Sequence, residues 1–169
     1  MAAYMTTGTR TVSSFISPGY ELLLLAVMAG FAIYDLRHKR VPNKALAFSL
    51  PIFLAAPFLH TAAQGLPGIL PALLNALLGA GAGFGTLLLA ALLSKGGAGV
   101  GGGDIKLAAA MGFAYGPHGI LFILLLASAL CLPVAGYFSR AKKGGPAALP
   151  FVPFMAAGCL VLTAIPILR

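Results

Sequence analysis

Acidic side chains are nearly missing from this chain, which has three among 169 residues against 11 lysines and arginines, for a net charge of +8. Tryptophan is absent, and charged residues of both signs make up only 8% of a chain that is 60% hydrophobic, with a mean hydropathy of +0.99. So little charge excludes an ordinary soluble domain. Cysteine is scarce too: Cys131 and Cys159 both fall inside apolar runs with no CxxC spacing, which excludes a zinc ribbon and a disulfide framework. They read as small buried hydrophobes. His38, His60 and His118 match no metal-ligand spacing, so no metal site is expected. The excess of positive charge would suggest nucleic acid in a soluble protein. Here the cations flank apolar segments, so the lipid bilayer is the expected partner and nucleic acid is not.

What the chain has instead is a series of apolar runs, most of them near the roughly 20 residues that cross a bilayer and the fourth short unless its neighbours shelter it. Six are expected, at about 17–34, 45–59, 70–93, 104–115, 117–138 and 150–168, in a single all-α, polytopic membrane-embedded domain over 1–169. The first run ends in the strongly basic Asp35-Leu-Arg-His-Lys-Arg40, the wrong flank for a cleaved signal, so it is expected to stay as a helix. Pro42 is expected to end it and Pro51 and Pro57 to interrupt the second run. Gly79, Gly81, Gly83 and Gly85 hold two small-xxx-small pairs suited to close helix packing. Arg37, Lys39, Arg40, Lys44, Lys95, Lys106, Arg140, Lys142 and Lys143 fall on alternate loops, against Arg10 and Arg169 on the other side. The positive-inside rule then puts those loops in the cytoplasm and both termini outside, in a multi-pass protein of the inner (cytoplasmic) membrane.

Two of the three acids, Asp35 and Asp104, stand at the ends of apolar segments on that cytoplasmic side. A carboxylate near bilayer depth is costly and marks a candidate functional site. Two that meet can hydrolyse a peptide bond without metal or nucleophile, an ionised one taking a proton from water and a protonated one giving a proton. Asp104 opens a helix and Asp35 closes one, so the helix dipoles suggest Asp104 as the base and Asp35 as the acid. Taken singly, each acid has a plain structural role open to it: Asp35 in an interfacial ion pair with Arg37 or Lys39, Asp104 as a helix N-cap. Glu21 sits toward the outer side and is not expected to join them. The formal G-x-G-x-x-G from Gly97 to Gly102 follows no strand and precedes no Lys-Ser/Thr, so a nucleotide site is not expected. A loop that brings its backbone close to an extended substrate, and lets Asp104 move toward Asp35, fits better.

The surroundings of both aspartates resemble a known family. Gly101-Gly102-Gly103-Asp104 fits the GxGD signature of membrane aspartic proteases, and its continuation Ile-Lys-Leu-Ala-Ala-Ala-Met-Gly is similar to type IV prepilin peptidases. Asp35-Leu-Arg-His-Lys-Arg-Val-Pro-Asn43 resembles that family's first site, and Leu149-Pro-Phe-Val-Pro-Phe-Met-Ala-Ala-Gly158 its last helix. The resemblance implies removal of the short basic leader from prepilin-like substrates at the cytoplasmic membrane face, with Asp35 and Asp104 as the catalytic pair. Gly101, Gly103, Pro42 and Asn43 would position loop and substrate, and Lys106 would tune Asp104 or reach to the interface. Pro150, Phe151 and Pro153 are expected to shape the last helix rather than touch substrate. Larger members carry paired CxxC motifs near the first helix and methylate the product with S-adenosylmethionine; this chain has no such motifs and only about 15 residues before its first span, so no cofactor is expected. The compact form is more like peptidases serving tight-adherence pili or archaeal preflagellins. Two rival readings stay open. Tyr34-Asp35 with GxGD also fits intramembrane proteases resembling presenilin or signal peptide peptidase, although the basic Val-Pro-Asn loop favours the prepilin reading. A small proton or cation transporter would use the same two aspartates nearer the midplane.

Overall fold

The structure, a computed structural model, describes residues 18–59, 69–93, 100–141 and 150–165. It is all-helical among the described residues: α1 (Pro18–His38), α2 (Asn43–Leu54), α3 (Ile69–Leu93), α4 (Gly102–Ala141) and α5 (Val152–Ala164). α2 resumes after a turn at Ala55 and reaches Leu59. Gly19–His38, Ile69–Leu93 and Gly102–Tyr137 are long and apolar enough to cross a membrane, while Asn43–Leu59 and Val152–Ala164 are shorter apolar helices.

α4 is the central element, packing against α2, α3 and α5, while α1 packs mainly on α5. α1 and α3 each bury one stripe, while the first part of α4, up to Gly116, is buried nearly all round. On α1 Leu24, Met28, Phe31, Ala32 and Asp35 are buried at helical spacing, while Leu22, Leu23, Ile33 and Leu36 are exposed. Leu24, Met28, Phe53, Leu107, Met111, Ile123 and Met155 form the middle of the core. The outer surface keeps large apolar side chains such as Phe48, Leu78, Leu92 and Leu125 exposed, a surface suited to lipid rather than water.

Two expectations change. α1 does not stop at 34: it runs on to His38, so Asp35 lies within its last turns and not in the loop. Pro42 restricts only Val41 before it; the helix is closed earlier by Lys39, in the left-handed conformation (φ 51), whose N–H donates to the Asp35 carbonyl at 2.7 Å. Likewise Asn43, expected in the turn, opens α2, with Pro42 as its N-cap.

The runs expected at 104–115 and 117–138 appear as one helix with a break at Gly116 (φ 71, ψ 177). That backbone conformation is open to glycine and strained for other residues. Asp104 on one arm and Cys131, Leu132 and Ala135 on the other line the same cavity, so the chain folds back at Gly116-Pro117. The first arm lies tightly on α3. A Cβ on Gly79 would collide with the Gly112 carbonyl and come within 2.7 Å of Gly116 Cα; one on Gly83 would collide with the Ala108 carbonyl. Gly81 and Gly85 face open space, so one of the two expected small-residue pairs is the packed one. The glycines at 96–99, the turn near His60, the loop at 142–149 and the chain ends at 1–17 and 166–169 lie outside the described residues.

Candidate active site

Asp35 reaches the site from the end of α1. Its residue is 3% exposed, and Oδ2 accepts a hydrogen bond from the Val152 N–H at 3.2 Å. That donor is the first backbone N–H of α5, one of the groups a helix start leaves without an internal partner. The expected pairing of Asp35 with Arg37 or Lys39 is not what forms: the carboxyl turns inward to α5 while both cations stay exposed.

Asp104 is the third residue of α4. Its N–H and that of Ile105 donate to the Gly101 carbonyl at 3.0 and 3.3 Å, making Gly101 the N-cap. The Asp104 carboxyl bends back over the same residue and takes the Gly101 N–H, half of a capping box. A side chain on Gly101 would press on this carboxyl, with Cβ 3.2 Å from Oδ2.

Two contacts bring the aspartates' segments together. Gly103 lies against Val41: a Cβ there would be 2.8 Å from Val41 Cβ and 3.0 Å from its carbonyl oxygen. Lys106 Nζ donates to Asn43 Oδ1 at 3.3 Å, linking the first turn of α4 to that of α2. The loop after Asp35 is thus clasped to the helix start that carries Asp104. Both aspartates line one cavity of ≈ 680 Å³, near enough for their charges to interact.

Gly101 and Gly103 line this cavity with the aspartates, whereas Lys106, Asn43 and Pro42 do not. Lys106 and Asn43 face a neighbouring apolar groove between α2, α3 and α4, and Pro42 a third one between α1 and α2. Lys106 therefore acts as a brace between helices in this structure, with Asn43 as its acceptor. Glu21 sits in the first turn of α1, about 21 Å of helix from Asp35, and is absent from the cavity.

Other lining residues were not expected at the site, among them Phe151, which was expected only to shape the last helix. Lys39 and Arg40 stand on the wall beside Asp35, and Phe151 closes it from the start of α5. The return arm of α4 adds Ser128, Cys131, Leu132 and Ala135, which share one helix face by their spacing. Cys159 is a fully buried hydrophobe as expected, hydrogen-bonded with the Tyr115 hydroxyl at 2.9 Å; Cys131 is partly exposed on the cavity wall. The sequence analysis did not single out that face of the return arm, whose direction depends on the reversal at Gly116. Among the described residues no three His, Cys, Asp or Glu side chains gather as metal ligands.

The arrangement supplies two carboxyls facing one partly open cavity, flanked by glycine backbone, two cations and a wall of apolar and small side chains. One ionised and one protonated carboxyl in such a place can activate a water and protonate a leaving amine. Comparison with known proteins places the chain among leader peptidases. The prepilin leader peptidase/N-methyltransferase of Bacillus subtilis (strain 168) is 34% identical over 143 residues, which are 83% of this chain and 53% of that protein. The chain thus spans about half the length of that curated relative. No solved structure matches. The type IV leader peptidase family matches residues 22–136, a stretch that contains both aspartates and the contacts that clasp their segments, and the chain belongs to that family.

Proposed function

We propose that this protein is an aspartic endopeptidase that removes the short basic leader from type IV pilin-like precursors at the cytoplasmic face of the inner membrane. The observation that carries the proposal is the convergence of Asp35 and Asp104, distant in sequence, on one cavity. In the reaction, one carboxylate takes a proton from water as it attacks the scissile carbonyl, and the protonated partner delivers one to the leaving nitrogen. Two like charges this close disfavour double ionisation, so the pair holds one proton and titrates as a unit.

The surrounding molecule fits a lipid-embedded enzyme. Asn43–Leu59 and Val152–Ala164 are short for a crossing, but the reversal at Gly116 turns the long apolar stretch Gly102–Tyr137 into two arms. Six crossings with both termini outside, in one membrane domain, is the arrangement that also sets the basic loops beside the aspartates. The substrate is then an extended leader followed by an apolar helix that stays in the bilayer. Gly101 and Gly103 let the substrate backbone approach, and Pro42, Asn43 and Lys106 hold the two aspartate segments in register. The reaction as drawn uses water and two carboxyls and calls on no cofactor. Methyl transfer belongs to the name of the Bacillus relative, roughly half of whose length this chain does not span.

Co-expression with a candidate prepilin, followed by a gel-shift assay for leader loss, tests the reading. Asp35→Asn and Asp104→Asn should each abolish processing at unchanged membrane levels. Full processing by either variant removes that carboxyl from the mechanism. A cut within the substrate's apolar helix would favour the presenilin-like alternative, and ion flux in liposomes without proteolysis the transporter.

A further inference from the structure

The first turn of α5 offers fewer free donors than that of α4, because a proline stands at its second position. A helix start normally leaves several backbone N–H groups free to bond a carboxylate. Here the Phe154 and Met155 N–H groups both donate to the Phe151 carbonyl, at 3.1 and 3.2 Å. Pro153 has no N–H at all. Among residues 152–155 the turn therefore offers one free donor, Val152, and Asp35 Oδ2 takes it.

The other oxygen has a different setting. Among the described residues Asp35 makes no second side-chain hydrogen bond, and no buried side-chain oxygen lacks a partner. Oδ1 is thus the atom that keeps accessible surface, in a residue that lines the cavity. An N–H at position 153 would sit next to that of Val152. It would offer the carboxyl a second donor and draw Oδ1 away from the space where water must be met. Bidentate capture of a carboxylate by adjacent N–H groups is favourable, so a donor placed there would compete with the reacting water.

We propose that Pro153 is a positioning residue for the peptidase reaction: by withholding a backbone donor beside Val152, it keeps Asp35 anchored through one oxygen and leaves the other to the reacting water. The proposal rests on the peptidase reading given above. It gives a role to the Pro-Phe-Val-Pro-Phe segment that shaping the last helix does not cover. Every residue other than proline restores the donor, whatever its side chain.

The test compares Pro153→Ala, Pro153→Val and Pro153→Leu as full-length protein in lipid nanodiscs, with steady-state cleavage of a prepilin. All three variants should lose kcat by a similar factor, about tenfold, with KM unchanged, the size expected for one charge-assisted hydrogen bond misdirecting the carboxyl. Wild-type kcat in Pro153→Ala, a loss graded with side-chain size, or failure of all three to fold would each overturn the proposal and leave Pro153 a packing residue. A second readout does not need activity. Infrared difference spectra between each protein and its Asp35→Asn counterpart should show the Asp35 carboxyl band displaced in Pro153→Ala relative to wild type; coincident bands overturn the proposal. If wild type cleaves no prepilin, the peptidase reading fails, and the infrared comparison still decides the donor count.

Discussion

At the residue scale, the site depends on side chains that are missing as much as on those present. Gly103 has no Cβ where Val41 Cβ and its carbonyl would stand 2.8 and 3.0 Å away, and Val41 offers backbone rather than a flexible tip to yield. Gly103→Ala should therefore push the α1–α2 loop off α4 and lower kcat/KM by roughly 10- to 100-fold, because an ångström of misplacement can cost that much. Gly101→Ala meets only the Asp104 carboxyl, at 3.2 Å, and should cost less; equal losses in a side-by-side cleavage assay would count against this account. Asp35 and Asp104 were legible in the sequence because a chain with three acids leaves few candidates and both carry recognisable flanks. The Val152 N–H that holds Asp35 was not legible, since a backbone donor has no letter of its own and comes from the far end of the chain. That contact also reopens the expected division of labour, for Asp35 as well as Asp104 now meets the start of a helix.

At the element scale, the reversal of α4 at Gly116 and its bed on α3 set the width of the cavity. The expected glycine repeat on α3 offered two equivalent i, i+4 pairs. What chooses Gly79 and Gly83 over Gly81 and Gly85 is the small surface of Gly112 and Ala108 across the interface, which lies outside any local pattern. Gly83→Leu should destabilise the protein by about 1–3 kcal/mol or more, as overpacking does, while Gly81→Leu should leave the unfolding midpoint in mild detergent nearly unchanged. The reverse ranking would mean that the helices pack on another face. The end of α1 was misjudged for a related reason: proline limits its immediate predecessor, but the left-handed Lys39 stops the helix three residues before Pro42.

At the scale of the whole molecule, apolar side chains face outward, and among the described residues Lys39 and Arg40 stand on the wall of the aspartate cavity. The proposed orientation, with that end in the cytoplasm, is open to a labelling test. Lys44→Cys in a cysteine-free background should react with an impermeant maleimide in inside-out vesicles and not in intact cells; labelling in intact cells would invert the orientation. The two natural thiols divide cleanly between core and cavity. Cys159 is sealed against Tyr115, and Cys131 stands on the cavity wall with the aspartates. The unaltered chain thus carries a built-in attachment point for a fluorophore, one whose emission would follow each arriving substrate and leaving product without a single engineered residue.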